Sequence, residues 1–529
     1  MRLELIMAAL IAFVISSNAS AQTEFLENEA AQRVPAISPL LGSHPGRNQT
    51  PPNVLFIAID DINDWVGPLG GHPQAQTPNM DRFCRQESVL FSNAVCAAPI
   101  CGPSRSAILS GFMPNRTGVY GNGSNMLYSE TVKTHATLPE YFSKYGYHTL
   151  SNGKVFHKHG TEHGVDFGHW AFDEHARARQ GVKDSPDTTR YTSSKSGVIN
   201  GQKRPEFKST SSKLTWGPTT SPFEETVDFR VADWSREQLT RDFDRPFFMA
   251  IGFIKPHLPW VVPQEFFDKY DRDSLQIPDV KADDLEDILL PDGKPAFEAT
   301  GEYRWIQEHG LQKDAVHAYL ASITYVDTCL GLVLEALEQS GHADNTIIVI
   351  WGDHGWHLGE KHRYLKNTVW NESAKTPLIV RTPGMTSSAK CNQAVSLIDL
   401  YPKLVSLCGL PAKELDGHDF TPLLQVPTAP WDHFGVTVSA TGTSVMGERY
   451  HYIHHLSGAE EFYDLSTDPM EWTNLVRHPE HAQRIAEMKR HVPQQRAIFP
   501  DIHFDKPPNY VDADADPTLK SKRNLSKLK

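Results

Sequence analysis

Cysteine is scarce in this chain, with six residues in 529, at positions 84, 96, 101, 329, 391 and 408. Their spacings match no structural zinc site. If Cys101 has chemistry of its own, five remain, so at least one is unpaired or paired between chains. Positive charge is short too: 51 Lys and Arg against 64 Asp and Glu leave a net charge of -13. That excess argues against a nucleic-acid or anionic-membrane partner, although a local basic pocket can still hold a small anion. Apolar runs of membrane-spanning length are missing. The opening "MRLELIMAALIAFVISSNASAQ" is too short for a comfortable span. It reads instead as a secretory signal, with Arg2, an apolar stretch at 5–15 and a small-residue cleavage site at Ala19-Ser20-Ala21. The expectation is export to a periplasm, a lumen or the outside, with a soluble mature chain beginning near Gln22. No internal repeat is visible.

What is present is a series of short, continuous apolar runs that end in polar clusters. "NVLFIAIDD" (53–61) reads as a buried strand with Asp60 and Asp61 at its end. "PFFMAIGFIKPH" (246–257) repeats the design and ends in Lys255, Pro256 and His257. "NTIIVIWGDHG" (345–355) does so again with Asp353 and His354, and "TPLIVRTPG" (376–384) is a fourth strand. Between them, 316–341 has apolar residues at helical spacing, with Gly341 as the expected C-cap. Alternating strands and helices predict an α/β fold: a large, mostly parallel sheet with helices on both faces. Sites in such sheets form outside the carboxyl ends of the strands.

The expected organisation is a signal at 1–21, a polar lead-in at 22–52, a catalytic domain at 53–430, a small antiparallel C-terminal subdomain at 431–504 and a disordered tail at 505–529. Residues 177–215, rich in Ser, Thr, Lys and Gly, read as an excursion loop over the site rim.

Three carboxylates and an imidazole, from Asp60, Asp61, Asp353 and His354, make an oxygen-rich set that favours a hard cation over zinc. The stretch "AAPICGPSRSAILSG" (97–111) adds a thiol. Pro103 suits the first position of a helix, which sets Cys101 at the helix N-terminus, where the free N–H groups and the dipole favour negative charge. Arg105 adds a positive charge about one turn on. Such a place stabilises a thiolate, an alkoxide or a bound anion; a small buried cysteine at a helix start is the plain alternative. Lys154 and His157 in "YGYHTLSNGKVFHKH", His257 in "GFIKPHLPW" and Lys366 in "HLGEKHRYLKN" each follow a strand or a Gly-rich turn beside another cluster.

The motifs "CGPSRSAILSG", "GYHTLSNGKVFH", "KPHLPW", "GDHGWHLGEKHRYLK" and "EFYDLSTDPMEWTNL" resemble those of the formylglycine-dependent type I sulfatases, over about 53–480. His157 three residues after Lys154, and His rather than Asn at 354, look most like the iduronate 2-sulfatase branch. After "LGE" the chain departs from the commoner His-Gly and reads Lys361-His362, so Lys366 is aligned by spacing.

The resemblance implies an alkaline phosphatase-like fold and a sulfuric ester hydrolase. It implies that a formylglycine-generating enzyme converts Cys101 to an aldehyde during export. The hydrated aldehyde attacks the sulfate sulfur through one hydroxyl, and the second then loses its proton and expels sulfate. Asp60, Asp61, Asp353 and His354, with residue 101 itself, would hold Ca²⁺ or Mg²⁺. Arg105 would hold the developing alkoxide. Lys154, His257 and Lys366 would bind the sulfate, with His257 the proton donor to the leaving oxygen and His157 the base for the second hydroxyl.

The expected substrate is a sulfated polysaccharide or oligosaccharide, with 2-O-sulfated uronates leading and sulfated galactans or fucans open. Trp170, Trp216, Trp260, Tyr303 and Trp305 are candidates for a sugar-lined rim, and Lys203 and Arg204 for contacts to an anionic chain. Two other functions stay in view. One is a phosphate or phosphonate ester hydrolase of the same superfamily, although two-zinc enzymes of that kind need more histidines. The other is a non-catalytic carbohydrate-binding homologue, which the retained Cys101, Arg105 and carboxylates disfavour.

Overall fold

The structure is a computed structural model that describes residues 51–157, 171–176, 198–199, 202–203 and 214–498. The signal, the lead-in up to residue 50, most of the 177–215 excursion with Arg204, Trp170, and the tail lie outside the described residues.

In chain order the first strands are β1 (Asn53–Ile59), β2 (Val89–Val95), β3 (His148–Gly153) and β4 (Glu174–His175). There follow β5 (Val198–Ile199), β6 (Gln202–Lys203), β7 (Trp216–Thr219), β8 (Phe247–Phe253) and β9 (Trp260–Pro263). The second half holds β10 (Thr346–Gly352), β11 (Leu378–Arg381), β12 (Ala389–Ser396), β13 (Gly435–Val438), β14 (Gly442–Met446), β15 (Tyr450–His455) and β16 (Glu460–Asp464).

Eight strands form the central sheet, in the order β12-β2-β11-β10-β1-β8-β3-β4. Its pairs are parallel except those of β11, which runs antiparallel to both β10 and β2. The mostly parallel expectation therefore holds, with one strand reversed. The runs read as strands are buried on both faces: every residue of β1, β8 and β10 is buried. Each large aliphatic or aromatic side chain so buried contributes about 1.5–3 kcal/mol. That burial is why these segments carry no polar alternation.

The long helix Gln312–Gln339 packs its Val316, Tyr319, Leu320, Ile323, Val326 and Leu330 into the same core. It ends at Ser340, one residue before the glycine expected to cap it. By length and composition it could cross a membrane, contrary to the expectation from sequence, but it serves as a buried core helix. β13–β16 make a separate antiparallel sheet near the C-terminus. Trp216 and Trp260, in β7 and β9, are fully buried and Trp305 is 4 % exposed, so these three are core packing and not a sugar-lined rim. Tyr303 is half-buried and stacks on His362. All six cysteines are free and buried.

Candidate active site

Strand register gathers the site. β10, β1, β8 and β3 lie side by side and parallel, with Ile59 opposite both Gly352 and Phe253, and Gly153 opposite Gly252. The residues that follow these ends are therefore neighbours although up to about 300 positions separate them. The ladder runs one step past the strands: Asp353 N–H donates to the Ile59 carbonyl at 3.1 Å, and Lys154 N–H to the Gly252 carbonyl at 2.7 Å. Asp60, Asp61, Asp353, His354 and Lys154 thus stand on one sheet edge, each with little or no exposure.

Asp61 has φ 61°, in the left-handed region that non-glycine residues avoid. Two contacts hold it there. Its N–H donates to Oδ1 of Asp353 at 3.1 Å, and the Tyr319 hydroxyl donates to its carbonyl at 2.7 Å. Strain of this sort persists where surrounding structure imposes it.

The helix Cys101–Ser110 begins at the thiol, with Ile100 extended as its cap and Gly111 closing it at φ 80°. Pro103 is its third residue, not its first, still within the turn where a missing N–H is tolerated. The next N–H, that of Gly102, donates to Oδ1 of Asn122 at 2.8 Å. Asn122 was not found from the sequence, although "GNG" (121–123) is a turn signal there.

The Sγ of Cys101 sits among cations: Nζ of Lys366 at 2.9 Å and Nε2 of His354 at 3.2 Å, with Oδ1 of Asp61 at 3.7 Å. Burial alone would raise this thiol, but Lys154, Lys366, His354 and a hydrogen bond from His157 outweigh it and hold the thiol well below its ordinary value. Lys366, placed by spacing alone, is thus in the site; its Nζ also meets Oδ1 of Asp61 at 2.5 Å.

Arg105 is wholly buried. Its Nε donates to Oδ2 of Asp353 at 2.7 Å, its Nη2 meets Oδ1 of Asp60 at 3.4 Å, and its Nη1 donates to the carbonyls of Lys154 and Val155. A guanidinium fork offers this set of donors in one plane, which lysine cannot. In this structure it ties two metal-type carboxylates to the Lys154 turn. Lys154 pairs its ammonium with Oδ2 of Asp60. Burial and Cys101 would raise the Asp60 carboxyl, yet Lys154, His257 and Arg105 hold it far below its usual range. Burial pushes Asp353 the other way, up to about 7.

His354 gives its Nδ1 to the Gly355 carbonyl at 2.9 Å, so Nε2 faces Sγ and Oδ1 of Asp61, at 3.3 Å. A backbone carbonyl on one imidazole nitrogen fixes the tautomer that presents the other as a ligand. Burial disfavours its charge, but Asp353 and Cys101 push it up to about 9. His257 likewise sets Nδ1 on the Leu258 carbonyl at 2.5 Å, and its Nε2 lies 3.9 Å from Oδ2 of Asp61.

Among the described residues, two overlapping groups of donor atoms are each close enough to hold an ion: Asp60, Asp61, Cys101 and His257, and Asp60, Cys101, Asp353 and His354. His257 was not on the expected ligand set. The fit to a hard cation rests on Oδ2 of Asp61, which is buried without any hydrogen-bond donor. A buried carboxylate oxygen left bare is costly, and a cation held by three carboxylates and an imidazole would satisfy it. The residues present fit such an ion.

Comparison with known proteins places the chain as a whole. Residues 52–410 match the sulfatase family, and residues 352–497 match the C-terminal part of N-sulphoglucosamine sulphohydrolase. A sulfatase of Formosa agariphila is 35% identical over 458 residues, covering 85% of this chain and 87% of that one. An iduronate 2-sulfatase of Mus musculus is 27% identical, covering 86% and 80%. Among solved structures, a phosphonate monoester hydrolase of Agrobacterium radiobacter superposes with TM-score 0.65 at 21% identity, covering 83% of this chain and 94% of its own. That last likeness speaks for the fold. Family match and high coverage together settle the assignment: the chain belongs to the sulfatase family, an enzyme family of sulfuric ester hydrolases.

Proposed function

We propose that this sulfatase hydrolyses sulfate esters of carbohydrates and that residue 101, matured from cysteine to formylglycine, is its nucleophile. The observation that carries the reading is the placing of Sγ of Cys101 at a helix start, with Lys366 and His354 within 3.2 Å. That sulfur stands in for an oxygen of the hydrated aldehyde. The hydrate supplies one hydroxyl to attack sulfur and a second whose deprotonation expels sulfate.

This chain's own residues do the rest. Lys154 and Lys366 present ammonium groups to the sulfate oxygens. Buried cations of this kind, fixed before the reaction, are worth far more than solvated ones. Arg105 holds Asp60 and Asp353 in place and puts its charge behind the helix start. His257, with Nδ1 committed to Leu258, has only Nε2 left to carry a proton to the leaving oxygen. Burial holds His157 below its ordinary value, so it is a neutral base beside residue 101 at physiological pH. Asp60, Asp61, Asp353 and His354, with residue 101, would hold Ca²⁺ or Mg²⁺, which supplies positive charge against the sulfate oxygens.

The carbohydrate class is supported by the iduronate 2-sulfatase likeness over most of both chains. The leader-like opening supports an exported enzyme, met by a formylglycine-generating enzyme on the way. A 2-O-sulfated uronate is the leading substrate. The test compares release of sulfate from defined sulfated oligosaccharides, from nitrophenyl sulfate, and of phosphate from matched esters, with and without Ca²⁺. Sulfated saccharides should have the highest kcat/KM. Preference for the aryl ester with no saccharide turned over would refute the substrate class, and faster phosphate release would refute the reaction.

A further inference from the structure

We propose that Lys361, clamped by the C-terminal "DPMEWTNL" turn, is a positioning residue that sets Lys366 against residue 101. The inference rests on reading Lys366 as a contact to the sulfate group.

The loop that carries Lys366 is held in a costly shape. Lys361, His362 and Asn367 have φ of 50°, 53° and 70°, three of the six described non-glycine residues with positive φ. Non-glycine residues avoid that region, so the surroundings must impose it. Its far end is tied to the nucleophile's own segment, for Asn367 N–H donates to the Pro99 carbonyl at 2.8 Å, two residues before Cys101. Its near end is tied by Lys361. This side chain has no exposed surface, and its ammonium donates to Oδ1 of Asp284 at 2.8 Å and to the Glu471 carbonyl, 110 positions away. Its Nζ also lies 5.3 Å from the ring centre of Tyr463 in β16.

Glu471 is itself buried at φ 58°. Its carboxylate meets Nδ1 of His451 in β15 and accepts from Asn371 N–H at 3.1 Å. Two left-handed residues thus face one another across a buried ammonium. One belongs to the Lys366 loop and the other to the C-terminal sheet's flank. Lys361-His362 is also where the chain departs from the commoner "LGEHG" pattern, and neither it nor the "DPMEWTNL" turn touches the reacting atoms. A buried charge of this kind stabilises the fold poorly compared with apolar packing, but it can select one geometry. Here that geometry brings Lys366 Nζ to 2.9 Å from Sγ.

The test is a double-mutant cycle in the full-length, matured enzyme, with kcat and KM for nitrophenyl sulfate and inhibition by inorganic sulfate as readouts. Lys361→Met, and Lys361→Met combined with Asp284→Asn to remove the carboxylate it pairs with, should lower kcat/KM about tenfold or more, as displaced catalytic groups do. Inhibition by sulfate should weaken in step, and Lys361→Arg should recover part of the loss. In a Lys366→Ala background the same changes should cost almost nothing further, because Lys361 acts through Lys366. Equal losses in both backgrounds would overturn the proposal, as would wild-type kinetics for a folded Lys361→Met/Asp284→Asn protein. Full activity of Lys366→Ala alone would instead refute the role of Lys366, and the positioning of it would fall with that reading.

Discussion

Gly252→Ala should disable the site. Gly252 lies in β8 opposite Gly153 of β3, and at both positions a side chain has no room. A Cβ at 252 would stand 1.9 Å from the carbonyl oxygen of Lys154 and 2.1 Å from its carbon, whereas ordinary contact begins at 3.4 Å. These are backbone atoms, so the Lys154 turn must retreat by 3.4 − 1.9, or 1.5 Å. That turn is what the site hangs from: the Lys154 carbonyl accepts from Arg105, and its ammonium pairs with Asp60. A displacement of about 1 Å in catalytic groups costs about 100-fold in rate. Because the clash is with backbone, its cost exceeds the about 1–3 kcal/mol of a methyl forced among side chains, and it draws on a domain's usual margin of about 5–15. The expected outcome is a fall of about two orders of magnitude in kcat/KM, with a clear drop in melting temperature. Wild-type turnover in a protein that carries the alanine would refute the argument that strand register and the missing Cβ set Lys154.

Asp60→Asn or Asp353→Asn should each remove bound divalent ion and nearly all activity. Elemental analysis of the wild type should find Ca²⁺ or Mg²⁺, and stoichiometric zinc without either would favour a phosphatase-like centre. Asp327, on the long helix, accepts the N–H groups of Asn79 and Met80, yet burial, with Asp81 adding to it, pushes it up to about 6 from 3.8. A folded-state value above the unfolded one means that ionised Asp327 costs stability at neutral pH. This cost, on the order of 2–3 kcal/mol, is relieved as pH falls through about 6 towards about 4. Asp327→Asn should flatten that part of the stability curve in denaturant melts, and an unchanged slope would contradict the assignment.

The sheet was legible because its central strands are buried on both faces and so appear as unbroken apolar runs. The site was legible for the same reason: polar residues directly after such a run must lie at the strand's carboxyl end. The reversal of β11 was not visible, since an apolar run carries no sign of its direction. Nor was the burial of Trp216, Trp260 and Trp305, because a tryptophan's composition is the same in a core and at a sugar-binding rim. Asn122 acts through one side-chain oxygen on a distant N–H, and Lys361 through a carbonyl 110 positions away. Contacts of that range have no local pattern. Charged residues are also expected at the surface, which is where Lys361 and Glu471 would have been placed.

The mass of the peptide containing residue 101, measured on active protein from its native host alongside its turnover, tests the central claim most directly. An aldehyde or its hydrate should be found at 101, in proportion to specific activity, and Cys101→Ala should fold normally without turnover. Fully active protein with only a free thiol at 101 would contradict the account.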